Sequence, residues 1–400
     1  MLNSIRVTNF HSIGETQELS LEVTKKDILD NSTLLVNTKK GLNLVGCLVG
    51  HNASGKTNIL KALTFLNWFV TRSYEASSDE IPIDKHKLWL DKSTKFELNF
   101  VDGDTNYFYS LELDNHAVMS EYFGKKITRG FTRIFEYTRT GDEWKFKSPE
   151  LEINPMDLKR FKERKRVSVL SSLIKLGYIG SLDFFENFYS NVNRRGLLGN
   201  HSIGDLFDLS GDLDEDRELL SKLLSFVKIV DFGVDDFDFR EMVFDSKDGT
   251  DEDSIKHQIL QAVHKSSKGE FKLNFFEESN GTQQSISLLT KILPILYSGG
   301  LAIVDEIEAG LHPHVVQKIV SLFEKEETNP KKAQLIFSTH QHMLLNDRTK
   351  TQIFLVKKDA ESFESEIYRL DDVEDVRNDE NYFQKYITGV YGATPKIYFF

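Results

Sequence analysis

Several features that would place the protein in a specialised class are scarce or missing. One cysteine in 400 residues excludes an intramolecular disulfide and fits a reducing compartment. No apolar stretch approaches the roughly 18 residues needed to cross a bilayer. The start, MLNSIRVTNF, has no charged leader followed by an apolar run. We therefore expect a cytoplasmic protein that does not bind membranes.

The chain also has fewer basic than acidic residues. The chain has 50 Lys and Arg residues against 62 Asp and Glu residues, a formal net charge of -12 at pH 7. This balance argues against general electrostatic attraction to nucleic acid. We find no internal repeat and no long heptad run, so the sequence predicts neither a solenoid nor an extended coiled coil. The remaining composition, 40% hydrophobic and 28% charged, is that of a globular protein.

Two regions predict alternating strands and helices. LNLVGCLVG (42–50) is a nearly continuous apolar run that ends in glycine, which is typical of a parallel strand buried on both faces. TNILKALTFLNWFV (57–70) has apolar residues at helical spacing. Strand-like and helix-like segments alternate again from 271 to 340. This order predicts a parallel sheet with helices on its faces.

The region between these two parts has another character. KFELNFVDGDTNYFYSLELDN (95–115) predicts two antiparallel strands joined by a turn at 102–104. Residues 155–174 predict a helix with a basic first half. We therefore expect an α/β fold with a mainly parallel sheet, plus an inserted lobe of antiparallel strands and helices. The predicted domains are 1–75 (first part of the parallel-sheet head), 76–270 (inserted lobe) and 271–400 (second part of the head).

A glycine loop follows the first buried strand. Residues 50–57, GHNASGKT, match the phosphate-loop pattern G-x-x-x-x-G-K-[ST] at every fixed position. Lys56 should contact the β- and γ-phosphates of ATP, and the Thr57 hydroxyl should bind Mg²⁺. A chance glycine loop is the alternative, but the flanking strand and helix favour a nucleotide site. The candidate ATP-binding residues are Gly50, Asn52, Ser54, Gly55, Lys56 and Thr57.

Two later strands end in polar residues. LAIVDE (301–306) places Asp305 where a carboxylate would hold Mg²⁺, and Glu306 where one would orient or deprotonate the attacking water. IFSTH (336–340) ends in His340, which would hydrogen-bond a γ-phosphate oxygen. The alternatives are an acidic pair that caps a strand and a histidine without a role in the site.

A third motif, ESNGTQQ (278–284), precedes a predicted apolar helix. Ser279 and Gly281 would offer a hydroxyl and backbone amides to a phosphate at the start of that helix. The alternative is a helix cap, since Ser-x-Gly is common there.

Together, these motifs resemble the ATP-binding cassette (ABC) heads of chromosome-maintenance and DNA-repair proteins. The chain is more similar still to the AAA/ABC-like ATPases of prokaryotic defence operons. That group includes the amino-terminal part of overcoming-lysogenization-defect nucleases and the restriction-linked, Septu and PARIS ATPases. The segments that carry the likeness are IRVTNFHSIGE (5–15), DEIEAGLHP (305–313) and YITGVYGATP (386–395). The resemblance covers roughly 1–70 and 270–400.

The resemblance implies an ABC-type head dimer that encloses two ATP molecules with Mg²⁺. Ser279 and Gly281 would complete the site of the opposite protomer, and residues 308–312 would lie near the dimer contact. By the same likeness, His11 and Ser12 would lie near the nucleotide. The motif reads ESNGTQQ where the common family signature reads LSGGQ, so Ser279 carries over more directly than Asn280.

A basic run and an acidic cluster leave alternatives open. The run at 159–166 would contact a nucleic-acid backbone or a partner protein through Arg160, Arg164 and Arg166; otherwise it is a solvated helix face. Asp371, Asp372 and Asp375 form either a solvated acidic turn or part of a metal-nuclease site.

The sequence thus predicts an ATP-hydrolysing molecular switch that forms a homodimer or a higher homo-oligomer. As part of an antiphage defence module it would control a separate effector protein. The main alternative is a DNA-repair or chromosome-maintenance ATPase that acts directly on DNA. An enzyme with its own nuclease activity is a further alternative.

Overall fold

The computed structural model describes residues 1–24, 33–35, 40–76, 79–192, 209–211, 213–230, 232–244 and 255–394. In chain order, the strands are β1 (Leu2–Thr8), β2 (Gln17–Ser20), β3 (Glu22–Thr24), β4 (Thr33–Leu35), β5 (Lys40–Asn43), β6 (Val45–Val49), β7 (Thr94–Asp102), β8 (Thr105–Leu113), β9 (Val118–Lys126), β10 (Phe131–Thr140), β11 (Glu143–Lys147), β12 (Phe188–Ser190), β13 (Asp236–Phe244), β14 (Ile255–Ser266), β15 (Gly269–Asn274), β16 (Leu301–Val304), β17 (Gln334–Ser338), β18 (Ile353–Lys358) and β19 (Ser365–Arg369). The α-helices are α1 (Lys56–Arg72), α2 (Pro155–Glu163), α3 (Val169–Lys175), α4 (Asp183–Glu186), α5 (Arg217–Ile229), α6 (Asn280–Ser298), α7 (Pro313–Glu324) and α8 (Tyr382–Ile387).

Six strands form a mainly parallel sheet in the order β12-β16-β17-β6-β18-β19. Its neighbours are parallel except β18 and β19, which pair antiparallel. β6 is buried over its whole length, as its uninterrupted apolar run predicted. The carboxyl ends of β6, β16 and β17 lie side by side at one edge, where open α/β sheets bind ligands. The predicted α/β fold class is confirmed.

A second, seven-stranded sheet is antiparallel and has the order β11-β10-β9-β8-β7-β1-β2. β7 and β8 form the hairpin that the sequence predicted, with Gly103 at a positive φ of 54° in the turn. β1 pairs with β7, so strands from both sides of residue 75 share this sheet. The division into the domains 1–75, 76–270 and 271–400 stays a prediction. Two three-stranded antiparallel sheets, β13-β14-β15 and β3-β5-β4, complete the described strands.

Along the parallel strands, alternate side chains pack into two different hydrophobic clusters, one on each face of the sheet. Leu48, Ile303 and Ile336 face a cluster shared with α1 and the antiparallel sheet. Cys47 and its neighbours in β16 and β17 face a second cluster shared with α5, α6 and α7. The prediction that Cys47 is a core residue is confirmed, and burial raises the pKa of its thiol to about 12. At neutral pH this thiol therefore stays protonated and unreactive.

The predicted helix over 155–174 is two helices. α2 ends at Glu163 and α3 begins at Val169, with Arg164 leaving the helical conformation at φ -89°, ψ 57°. Ser168 caps α3, because its hydroxyl accepts a hydrogen bond from the backbone N–H of Ser171 at 3.0 Å.

Among the described residues, none of the helices is long and apolar enough to cross a bilayer.

A buried carboxylate holds the start of α3 against the antiparallel sheet. Glu121 in β9 is fully buried and accepts hydrogen bonds from the Ser168 hydroxyl at 2.7 Å and the Tyr109 hydroxyl at 2.9 Å. The backbone N–H groups of Val169 and Leu170 also donate to it, at 2.7 and 3.0 Å. Burial raises the pKa of Glu121, and these hydrogen bonds oppose the shift.

Glu121→Ala is expected to lower the free energy of unfolding by about 3 kcal/mol, because buried donors would lose their acceptor. Urea unfolding followed by circular dichroism measures this change. Glu121→Gln, which keeps one acceptor oxygen and the side-chain shape, should lose less. Equal stability of Glu121→Ala and the wild type would show that water replaces the carboxylate without cost.

Candidate nucleotide-binding site

The phosphate loop joins β6 to α1 and contains two glycines that no larger residue could replace. Gly55 precedes α1 with a φ of 109°, a left-handed conformation that favours glycine. A Cβ atom on Gly55 would overlap the Ser365 hydroxyl, and one on Gly50 would overlap the Val356 carbonyl. The loop is therefore packed tightly against the β18–β19 hairpin, which fixes the direction of its N–H groups.

Lys56 lies inside this loop. Its ammonium donates hydrogen bonds to the carbonyl oxygens of Gly50 at 2.8 Å and His51 at 3.3 Å. Burial lowers the pKa of Lys56, and the nearby Asp305, Glu306 and Glu308 carboxylates partly restore it. The cation is thus held at the centre of the loop, where phosphate charge would need compensation.

Thr57 and Asp305 come from different elements and meet in the folded chain. The Thr57 hydroxyl donates to the Asp305 carboxylate at 2.7 Å, and the Ser338 hydroxyl donates to the other oxygen of the same carboxylate. Asn191 fixes the Asp305 backbone, since its amide donates to the Asp305 carbonyl at 2.9 Å and accepts from the Asp305 N–H at 2.8 Å.

This donor set fits Mg²⁺. One hydroxyl and one carboxylate converge, and the described residues contain no group of three or more His, Cys, Asp or Glu side chains that could hold a metal. Mg²⁺ is usually bound by one or two protein oxygens together with substrate phosphates and water, rather than by a complete protein cage.

Glu306 follows Asp305 at the end of β16, and His340 follows the end of the neighbouring strand β17. Glu306 has a positive φ of 50°, and its N–H donates to the Ser338 hydroxyl at 2.8 Å. Its carboxylate is 3.9 Å from His340 Nε2, and the two side chains are 46% and 36% exposed. Glu308 accepts a hydrogen bond from the His340 N–H at 2.5 Å. A carboxylate and an imidazole are therefore both accessible beside the Thr57–Asp305 pair.

These groups surround one cavity of about 730 Å³, which is within the size range of small-molecule sites. The sequence predicted most of its lining, and Gly50 contributes through its hydrogen bond to Lys56. The lining residues are Asn52, Ala53, Ser54, Gly55, Lys56, Thr57, Asn58, Asp305, Glu306, His340 and Lys358.

The sequence did not predict the contribution of the β18–β19 hairpin. Ser365 donates to the Ser54 carbonyl at 2.6 Å, and its hydroxyl lies 2.6 Å from that of Ser12. Ser12 in turn accepts from the Asn58 amide at 2.6 Å. Lys358 adds a cation to the cavity. No local motif marks Ser365 or Lys358; only the hairpin brings them to the phosphate loop.

A second cavity of about 670 Å³ adjoins the first and shares Asn58 and Lys358 with it. His11, Leu88 and Phe363 also line it. Burial lowers the pKa of His11 to about 4, so its imidazole is neutral at neutral pH. Leu88 and Phe363 are exposed apolar side chains that would suit a planar ring.

The residues of the third motif lie outside the first cavity. Ser279 is exposed and caps α6, because its hydroxyl accepts from the Thr282 N–H at 3.1 Å. Gly281 packs so closely on the Gly310 carbonyl that a Cβ atom would lie 3.2 Å from that oxygen. Neither Ser279 nor Gly281 lines the cavity that contains Lys56.

The three arginines of the basic run have different surroundings. Arg160 pairs with Asp157 at 2.8 Å on the exposed face of α2. Arg164 folds back, donating to the Tyr74 carbonyl and lying 4.3 Å above the Tyr74 ring. Arg164 and Arg166 both line a separate cavity beside α1, and Arg160 does not. The three arginines therefore do not form one continuous exposed surface.

The acidic residues near the end of the chain have local partners. Asp371 pairs with the Arg369 guanidinium at 2.5 Å, and Asp372 accepts a hydrogen bond from the Arg369 N–H at 3.0 Å. Asp375 adopts a positive φ of 60° in the following turn.

Comparison with known families agrees with this geometry. Residues 46–346 match the family model described as "AAA domain, putative AbiEii toxin, Type IV TA system". The chain belongs to this family. Proteins with such domains generally bind ATP with Mg²⁺.

Two individual proteins are similar to the chain. The "Retron Vc95 probable ATPase" of Vibrio cholerae serotype O1 biovar El Tor is 21% identical, and the match covers 90% of this chain and 81% of that protein. Among solved structures, the SMC head domain from Thermotoga maritima matches with a TM-score of 0.41 and 12% identity, over 92% of this chain and 98% of that one.

Proposed function

We propose that the protein is an ATP-hydrolysing molecular switch that controls a separate effector protein in an antiphage defence module. The observation that carries the proposal is the convergence of Lys56, Thr57, Asp305, Glu306 and His340 on one cavity of about 730 Å³. These residues come from three strand ends, and their chemistry is what phosphoryl transfer to water requires.

Each residue has a distinct role in this proposal. Lys56 and the N–H groups of the loop would bind the phosphates, and Thr57 and Asp305 would hold Mg²⁺, which would neutralise charge on the phosphate oxygens. Glu306 orients the attacking water and accepts its proton. His340 hydrogen-bonds the γ-phosphate and so distinguishes ATP from ADP.

The adjoining cavity of about 670 Å³ would take the rest of the nucleotide. In this arrangement Asn58 and Lys358, which line both cavities, would lie where the two join, and the base would rest against Phe363. Neutral His11 avoids repulsion from the nearby Lys61 and Lys87 ammonium groups.

The position of Ser279 supports a switch made from two protomers. Ser279 and the exposed start of α6 present a hydroxyl and N–H groups to solvent rather than to the cavity of their own chain. A second protomer would bring these groups to the γ-phosphate. ATP would then link two heads, and Glu306-dependent hydrolysis would separate them.

Two findings favour the defence role over direct action on DNA. The family description names a toxin–antitoxin system, and the similar Vibrio cholerae protein is named as a retron ATPase. Among the described helices the longest, α6, has 19 residues, too short for the long coiled-coil arm of a chromosome-maintenance protein. The effector would be a separate chain.

ATP binding tests the first step. Lys56→Ala is expected to weaken ATP affinity at least about tenfold, because the phosphate charge would lose a buried cation. Isothermal titration with Mg²⁺ and ATP measures the affinity. Arg72→Ala is the matched control, since it removes one positive charge from the opposite end of α1. Unchanged affinity of Lys56→Ala, at an unchanged melting temperature, would rule out this loop as the nucleotide site.

A further inference from the structure

A cavity of about 540 Å³ lies at the end of α1 opposite the phosphate loop. Trp68 and Phe69 line it from α1, Ser73 lines it just after α1 ends, and residues 163–167 line it from the end of α2 and the linker to α3. On α1 its lining begins at Trp68, 12 residues after Lys56, which is about 18 Å along the helix at 1.5 Å per residue. The cavity is therefore separate from the candidate ATP site.

Unpaired positive charge faces this cavity. Among the described residues, no carboxylate forms an ion pair with Lys165 or Arg166, and Arg166 Nε is buried without a hydrogen-bond partner. The carboxylates of the lining are engaged elsewhere: Glu75 pairs with Lys175, and Glu163 lies 3.7 Å from Lys159. Glu80 is a third carboxylate in the lining, which also contains the three cations of Arg164, Lys165 and Arg166. The cavity therefore favours an anion.

The linker that carries these cations is fixed by its backbone. The Val118 N–H donates to the Lys165 carbonyl at 2.8 Å, and the Ser168 N–H donates to the Ser73 hydroxyl at 3.2 Å. Ser168 is also held by Glu121, whose carboxylate accepts the hydrogen bond from the Ser168 hydroxyl at 2.7 Å. Lys165 and Arg166 are thus presented on a rigid support, which reduces the entropy lost on binding.

The remaining wall is apolar and includes an aromatic ring. Trp68, Ile81 and Pro82 line it, and Trp68 is only partly buried. The volume of about 540 Å³ is larger than inorganic phosphate needs and falls in the range of pockets for small organic ligands. A planar base beside Trp68 would gain stacking energy.

We propose that this cavity is a second binding site, for a nucleotide unit with a 5′-phosphate, and that it is distinct from the ATP site. Lys165 and Arg166 bind the phosphoryl group, and the base packs beside Trp68. The unit is either a free nucleotide or the 5′ end of a single strand; both present the same chemistry. A continuous backbone track along 159–166 is disfavoured, since Arg160 pairs with Asp157 outside the cavity.

The test uses a thymidine trinucleotide with a 3′ fluorescent label and a 5′-phosphate, and an identical one with a 5′-hydroxyl. Fluorescence polarisation is measured on the full chain carrying Lys56→Ala, so that the first site does not contribute. Lys165→Gln with Arg166→Gln should weaken binding of the phosphorylated probe about tenfold or more, and Trp68→Leu about fivefold. Arg160→Gln, in the same run but outside the cavity, should change it less than twofold. Melting temperatures establish that each variant is folded.

A competition experiment distinguishes a free nucleotide from the 5′ end of a strand. Displacement of the probe by thymidine 5′-monophosphate indicates a free nucleotide, and failure to displace it indicates a strand end. Equal binding of the 5′-hydroxyl probe would overturn the proposal, because the phosphate would not be recognised. So would equal losses in Arg160→Gln and the double variant, which would indicate diffuse surface attraction. Absence of binding at millimolar probe would also refute it.

Discussion

Glu306→Gln protein is expected to bind ATP as tightly as the wild type, while its turnover falls about a hundredfold or more. The amide keeps the size of the carboxylate but cannot accept a proton from water, and general-base catalysis typically contributes that much. Binding should survive because, among the described residues, Glu306 forms no hydrogen bond with Lys56 or Thr57. The Glu306 N–H bond to Ser338 is a backbone contact and is retained.

The Glu306→Gln substitution should also change the oligomeric state of the protein. If hydrolysis separates the protomers, Glu306→Gln should remain dimeric for as long as ATP and Mg²⁺ are present. Native mass measurement and phosphate release, recorded on the same sample, check both halves of the prediction. Glu326→Gln, at a side chain that is 79% exposed, removes a carboxylate away from the cavity and serves as control. Turnover at the wild-type rate in Glu306→Gln would mean that another group activates the water.

The candidate site could largely be predicted from sequence because its main residues occupy defined positions in the fold. Lys56 and Thr57 belong to one continuous loop with a recognisable spacing. Asp305 and His340 follow apolar strands, and the carboxyl ends of parallel strands meet at one edge of a sheet. Once a parallel sheet is predicted, their proximity follows without further information.

Other parts of the site depend on contacts between distant residues that leave no local pattern. Asn191 fixes Asp305 from 114 positions away, and Ser365 holds the phosphate loop from 311 positions away. Each is a single polar residue in an unremarkable segment. The same holds for the break between α2 and α3: periodicity predicted one helix, but Glu121, 47 positions before Ser168, stabilises a new start there.

Ser279→Arg is expected to leave ATP binding intact but to reduce turnover about a hundredfold or more, if Ser279 completes the site of a second protomer. Within its own chain Ser279 lies outside the cavity, so a substitution there should not disturb Lys56. Across an interface, the bulky cation would displace the hydroxyl and the N–H groups at the start of α6 from the γ-phosphate. Titration with ATP and measurement of phosphate release separate these two effects.

Mixing variants gives a sharper test of the shared site. In a two-fold dimer of Ser279→Arg with Lys56→Ala, one site combines both lesions and the other is built from two intact halves. Random exchange at equal amounts would restore about a quarter of the sites. Lys56→Ala mixed with Glu306→Gln is the matched control, because both lesions lie in the same half-site and every site keeps one of them. Heterodimers demonstrated by mass, with no recovery in the first mixture or equal recovery in the second, would contradict a site shared between protomers.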